Sequence, residues 1–164
     1  LSKGLTGGAL PLAVTLCIEP IFAAHYSTDR AKTFYHSSSY TANPIACAAA
    51  NANLAIWRDE PVQQRIDTLA EAQAAHLSML GNRPRIANPR RLGTIAAFDI
   101  AVPDSGYLSD LAPRLIAFAR DHGILIRPLG NSVYVMPPYC ITPGELAQLW
   151  DVIGAFLDDI RSGA

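Results

Sequence analysis

The sequence predicts an α/β chain in two parts, the second of them a small α+β lobe. Three observations predict this. A short apolar stretch at 9–18 is followed by two long runs of helical character between 44 and 80. A segment dense in glycine, proline, asparagine and arginine interrupts the chain at 81–91. Beyond it the apolar period switches between strand and helix in the order β-α-β-β-α. Half of the 164 residues are hydrophobic and 16% are charged, which supplies a core and argues against disorder.

The elements follow in order. Residues 9–18 are short, apolar and rich in Leu, Val and Thr, as a buried strand is. Residues 20–26 suit one or two helical turns, and the polar stretch 27–40 reads as a loop. Asn43 can cap a helix and Pro44 suits its first turn, so a helix is expected over 44–58. Its alanine density favours helix and lets another backbone approach closely. Pro61 opens a second helix, with Val62, Ile66, Leu69, Ala70, Gln73, Leu77 and Leu80 on one face. The segment "GNRPRIANPRR" reads as a solvated linker; its four arginines also invite a phosphate reading, but no aromatic residues interleave with them. "LGTIAAFDIAV" reads as a strand, and "LSDLAPRLIAFARDHG" as a helix stopped at Gly123. "ILIRPLGNSVYVMPPY" reads as two strands about a Gly-Asn turn. A last helix starts at Thr142, with Glu145 completing a capping box.

Several function classes are excluded. A net charge of -1 offers no general attraction to nucleic acid. No uncharged apolar run is long enough for a membrane span. The first 24 residues resemble a secretory signal only loosely, because Gly7-Gly8 precede the apolar run and Glu19-Pro20 interrupt it. Three scattered cysteines (Cys17, Cys47, Cys140) argue against a disulfide framework and a zinc site, and fit a reducing, cytoplasmic setting. His25, His76 and His122 share no metal-like spacing, and no metal is expected.

Lys3 has two readings. By residue type it is an ordinary surface lysine. Its neighbourhood gives the second: Gly4, Gly7 and Gly8 would let a flat cofactor approach the backbone. A lysine amine freed of its proton can form a Schiff base with an aldehyde cofactor and shuttle protons. A Walker phosphate loop is rejected, because there the lysine follows the glycines. By composition alone, Ser37, Ser38 and Ser39 are turn or cap residues, and Arg127 is an exposed strand arginine.

"SKGLTGGALPL" resembles the lysine segment of the class III aminotransferases, pyridoxal-phosphate enzymes of fold type I. "HSSSYTANPIACAAANANLAI" is similar to the family's downstream motif, His-Gly-x-Thr-Phe/Tyr-x-Gly-Asn-Pro-Leu-Ala-Cys-Ala. "ILIRPLGNSVYVMPPYCIT" is similar to the branch of the family that acts in biotin synthesis. The resemblance implies the end of a large α/β lobe at residues 1–85 and a small α+β lobe at 90–164. It implies that Lys3 carries the internal aldimine of pyridoxal 5′-phosphate. It implies that Ser38 and Ser39 hold the cofactor phosphate of the partner subunit in a homodimer. It places Ser37 beside the substrate and gives Arg127 a substrate carboxylate, a task that suits a planar guanidinium. Ser39 stands where the motif has Thr, Ser37 where it has Gly, and Ala42 where it has the Gly before Asn43.

The reaction so implied moves an amino group from S-adenosylmethionine to 8-amino-7-oxononanoate. Alternatives are a class III transaminase of the ω-amino acid or ornithine type, and a non-catalytic dimerisation module. The family's ring-nitrogen Asp, ring-stacking aromatic and first phosphate loop would lie upstream of Lys3. The chain is therefore expected to be a fragment, inactive without that upstream half.

Overall fold

Asn43 starts the first long helix through its side chain. Its Oδ1 accepts hydrogen bonds from the Ile45 and Ala46 amides at 3.0 and 3.2 Å, satisfying two donors the helix cannot pair internally. The computed structural model describes residues 1–36, 38–81, 83–102 and 109–162. They fall into two compact units, Leu1–Pro61 and Val62–Ala164.

The first unit holds a 3₁₀ turn at Lys3–Thr6, helix α1 at Glu19–His25, a second 3₁₀ turn at Arg30–Lys32, and helix α2 at Pro44–Asp59. The expected strand at 9–18 does not form. No described strand pairs with this stretch, and its Leu16 and Ile18 are 78% and 66% exposed. A strand is a pairing state, and apolar character alone cannot supply the missing partner.

In the second unit, helix α3 (Val62–Gly81), helix α4 (Leu111–Asp121) and helix α5 (Pro143–Ser162) share a core with one face of a three-stranded sheet. Strands β1 (Ile86–Leu92), β2 (Ile95–Ile100) and β3 (Ser132–Val135) run antiparallel in the order β1-β2-β3. Alternation along β2 sends Ala96, Phe98 and Ile100 into the core, joined by Val133 and Val135 of β3. The helices answer with Leu69, Leu77 and Leu80 from α3, Leu115 from α4, and Ile153 and Phe156 from α5. Each such side chain contributes about 1.5–3 kcal/mol through burial. Gln73 sits fully buried in this core, spanning three partners. Its Nε2 donates to the carbonyls of Thr94 (3.0 Å) and Val135 (3.3 Å), and its Oε1 accepts from Trp150 Nε1 at 2.9 Å.

The 81–91 segment corrects the linker reading. Its residues from Ile86 onward lie in edge strand β1, whose register with β2 shifts between Ala87 and Arg90. Pro89 falls in that bulge, where its missing N–H breaks no ladder bond. Three of the segment's four arginines are engaged with protein through their side chains. Arg83 donates to the Gly154 carbonyl and to Asp158, both at 2.8 Å, and Arg91 donates to the Gly93 carbonyl at 3.0 Å. Arg90 pairs with Asp99 at 3.0 Å. Asp99 lies on the sheet face away from the core and also accepts from Asn88 and Ser132, linking all three strands. Partial burial pushes the Asp99 carboxyl up. The bonds from Ser132, Asn88 and Arg90, with the Arg90 charge, outweigh that and hold it below the ordinary carboxylate range.

Only the second of the two strands expected in 124–139 forms. The turn is there, with Leu129 and Ser132 exchanging backbone bonds of 2.8 and 3.0 Å around Gly130-Asn131. Before it, Pro128 has no N–H to offer a ladder. Helix α4 ends as expected, with Gly123 at φ 75° and the Ile124 amide bonded to the Ala119 carbonyl at 2.8 Å. The capping box of α5 is also present. Glu145 accepts from the Thr142 amide and hydroxyl, both at 2.8 Å. Among the described residues no helix is long and apolar enough to cross a membrane.

Candidate functional site

Three glycines and two side chains shape the lysine turn in the first unit. The Gly7 amide reaches the Gly4 carbonyl at 3.1 Å, and the Gly8 amide reaches the Lys3 carbonyl at 3.2 Å. Thr6 is buried, and its hydroxyl donates to the Leu10 carbonyl at 2.6 Å, fixing the exit of the turn. Asn53 of α2 approaches from the other side. Its Nδ2 donates to the Gly4 carbonyl at 2.9 Å and to the Leu5 carbonyl at 3.1 Å. The face of α2 that carries Asn53 also carries the buried Ala46 and Ala50. Small side chains there allow the turn to come close.

Lys3 itself is exposed, at φ 50°. A side-chain-bearing residue in this left-handed region costs about 1–2 kcal/mol, so neighbouring contacts must hold it. An open cleft of about 650 Å³ adjoins it, with Ser2, Gly8, Leu10 and Pro11 in its lining. A Cβ placed on Gly8 would meet no atom within 4 Å, so the wall of the cleft beside Lys3 is open backbone. An exposed amine next to bare backbone fits an aromatic aldehyde lying flat against the turn.

Ser38 and Ser39 precede the N-cap of α2, while Asn53 holds the lysine turn in the second half of that helix. Asn43 and Asn53 are about 15 Å apart along the axis, at 1.5 Å per residue. Among the described residues neither serine side chain is hydrogen-bonded, and the Ser38 carbonyl accepts from the Thr41 amide at 3.1 Å. Their hydroxyls are exposed. Ser37 lies outside the described residues. Ala42, which replaces the motif's glycine, sits at φ 55°. Ala42→Gly is therefore expected to stabilise the protein by about 0.5–1 kcal/mol, the relief of left-handed strain exceeding the entropic cost of glycine. A rise in the urea midpoint of the first unit's transition checks this.

Arg127 belongs to the second unit, exposed between the buried Ile126 and Pro128. Those neighbours anchor the backbone on both sides. Its guanidinium has no carboxylate partner among the described residues, which leaves both edges open for one. Asn53 and Thr6 were not legible as site residues from spacing. The available signal was Asn53 itself, a weak helix former placed inside an alanine helix.

The family model for aminotransferase class-III matches residues 1–157. An adenosylmethionine-8-amino-7-oxononanoate aminotransferase from Synechococcus elongatus is 43% identical over 160 residues, which span 98% of this chain and 37% of that protein. The enzyme of the same name from Helicobacter pylori is 36% identical over 174 residues, 99% of this chain and 38% of that protein. A crystal structure of the Methanocaldococcus jannaschii enzyme of that name superposes with a TM-score of 0.83 at 30% identity, over 94% of this chain and 37% of that one. The chain thus spans little more than a third of the length of these relatives.

Proposed function

The chain belongs to the class III aminotransferases, pyridoxal-phosphate enzymes of fold type I, and from that premise we propose what it does. It is the C-terminal part of an enzyme of biotin synthesis that moves an amino group from S-adenosylmethionine to 8-amino-7-oxononanoate, giving 7,8-diaminononanoate. The observation that carries this reading is the 43% identity over 160 residues to a protein named for that reaction. The exposed Lys3 on its strained, glycine-lined turn supports it.

In this reading residues 1–85 end the large lobe and 90–164 form the small one. The parent enzyme is a cytoplasmic homodimer, with the upstream half completing the site. When bound, the cofactor supplies an electron sink for the carbanion formed at the donor's amino-bearing carbon. The chain's own residues do the rest. Lys3 Nζ would hold the cofactor through its aldehyde, and as a free, neutral amine it would take the proton from the donor's amino-bearing carbon and return it later. Ser38 and Ser39 offer hydroxyls to the phosphate in the partner's site, and Ser37 stands near the substrate. Arg127 offers two parallel N–H donors to the carboxylate of 8-amino-7-oxononanoate.

A donor screen on the full-length parent tests the reading. S-adenosylmethionine is expected to support formation of 7,8-diaminononanoate, with ornithine and ω-amino acids giving little. Turnover with those donors and none with S-adenosylmethionine would reject it in favour of another class III activity. Absence of any Lys3 label after pyridoxal phosphate and borohydride would instead leave a dimerisation module.

A further inference from the structure

We propose that Asn53 is a positioning residue for the reactive lysine, and this rests on the reading that Lys3 bonds the cofactor. Lys3 has a long flexible side chain, so its amine can be placed only as well as its Cα–Cβ bond is fixed. That bond leaves a residue at φ 50°, in a turn containing Gly4, Gly7 and Gly8. Such a turn has many conformations available and one strained residue that gains by leaving its place. Two side chains oppose this. Thr6 closes the exit of the turn through Leu10. Asn53 acts on the two peptide carbonyls that follow Lys3 directly, Gly4 at 2.9 Å and Leu5 at 3.1 Å.

The geometry uses the amide fully. Both Nδ2 protons are spent on consecutive carbonyls of the 3₁₀ turn, and at the Gly4 carbonyl the amide adds a second bond beside the one from the Gly7 amide. Gly7 passes close to the same side chain, since a Cβ there would lie 3.9 Å from Asn53 Oδ1. The turn is thereby tied to a 16-residue helix rather than to another loop. Removing the amide cuts the tie between the turn and the helix at both carbonyls, the Gly4 carbonyl keeping only its bond from the Gly7 amide, and Lys3 can swing toward unstrained φ. A shift of the order of 1 Å in a reacting group costs about a hundredfold in rate.

Asn53→Ala in the full-length enzyme with its cofactor tests this. Alanine is the stronger helix former, so the substitution does not weaken α2. Asn51→Ala, an exposed position of the same helix, is the control. Asn53→Ala is expected to lower kcat about 10- to 100-fold with KM changed less than about threefold. It is also expected to move the pH midpoint of the visible absorbance of Lys3-bound cofactor away from the Asn51→Ala value. A kcat and an absorbance midpoint equal to those of Asn51→Ala overturn the proposal while leaving Lys3 as the cofactor residue. Failure of the unsubstituted enzyme to be labelled at Lys3 overturns both.

Discussion

Lys3→Ala in the full-length parent is expected to abolish turnover, by at least about a thousandfold, and to leave the protein folded. The loss combines two tasks. A positioned proton-transfer group contributes about 10²–10⁴ to a rate, and the covalent hold on the cofactor disappears with it. The fold is spared because Lys3 is exposed and its side chain makes no hydrogen bond among the described residues. A surface change of that kind alters stability by about 0.5 kcal/mol or less. Borohydride treatment with pyridoxal phosphate should leave a label on the Lys3 peptide of the natural enzyme and none on the variant. Lys3→Arg should not rescue, since a guanidinium stays protonated and can neither attack an aldehyde nor accept a proton. Lys32→Ala removes the other lysine of this chain and should leave the label in place. Near-normal turnover by Lys3→Ala would remove the basis of the functional assignment.

Gln73→Ala should have the largest effect on stability, about 3–5 kcal/mol. Gln73 is 0% exposed and bonds Thr94 O, Val135 O and Trp150 Nε1. Truncation removes three buried hydrogen bonds, those to the Thr94 and Val135 carbonyls and the one from the Trp150 indole N–H, at about 1–3 kcal/mol each before relaxation, and opens a cavity. Gln73→Leu restores most of the volume and none of the bonds, so it should recover only part of the loss. The measurement is urea unfolding followed by Trp150 fluorescence in a Trp57→Phe background, which leaves one indole in the chain. Gln63→Ala, on the exposed face of the same helix, should shift the midpoint little. A Gln73→Ala midpoint equal to that of Gln63→Ala would show that the buried bonds are energetically idle.

Local chemistry was legible where it acts locally. Asn43-Pro44 and Thr142 with Glu145 announced two helix starts through bonds made within a few residues. Gln73 was placed on the buried face by spacing alone, although its residue type argues for the surface. Errors arose where the deciding partner is distant. The apolar run at 9–18 has the composition of a strand; Leu1 exchanges backbone bonds with its Val14, but no described strand lies beside it. The Pro- and Arg-rich 81–91 stretch has the composition of a loop, yet an edge strand with a bulge tolerates both residue types. Lys3, Ser37, Ser38, Ser39 and Arg127 were proposed as site residues through motif resemblance. Asn53 was missed because its two bonds reach back 48 and 49 residues.

The placement of α3 decides where this polypeptide can be cut. The glycine- and proline-rich stretch looks like the natural seam, and a protein engineer would open the chain there. Doing so would discard the helix carrying Leu69, Gln73, Leu77 and Leu80, uncovering one side of Phe98 and orphaning the indole of Trp150. A separately expressed C-terminal piece therefore has to start at Val62, with Pro61 as the scissile neighbourhood.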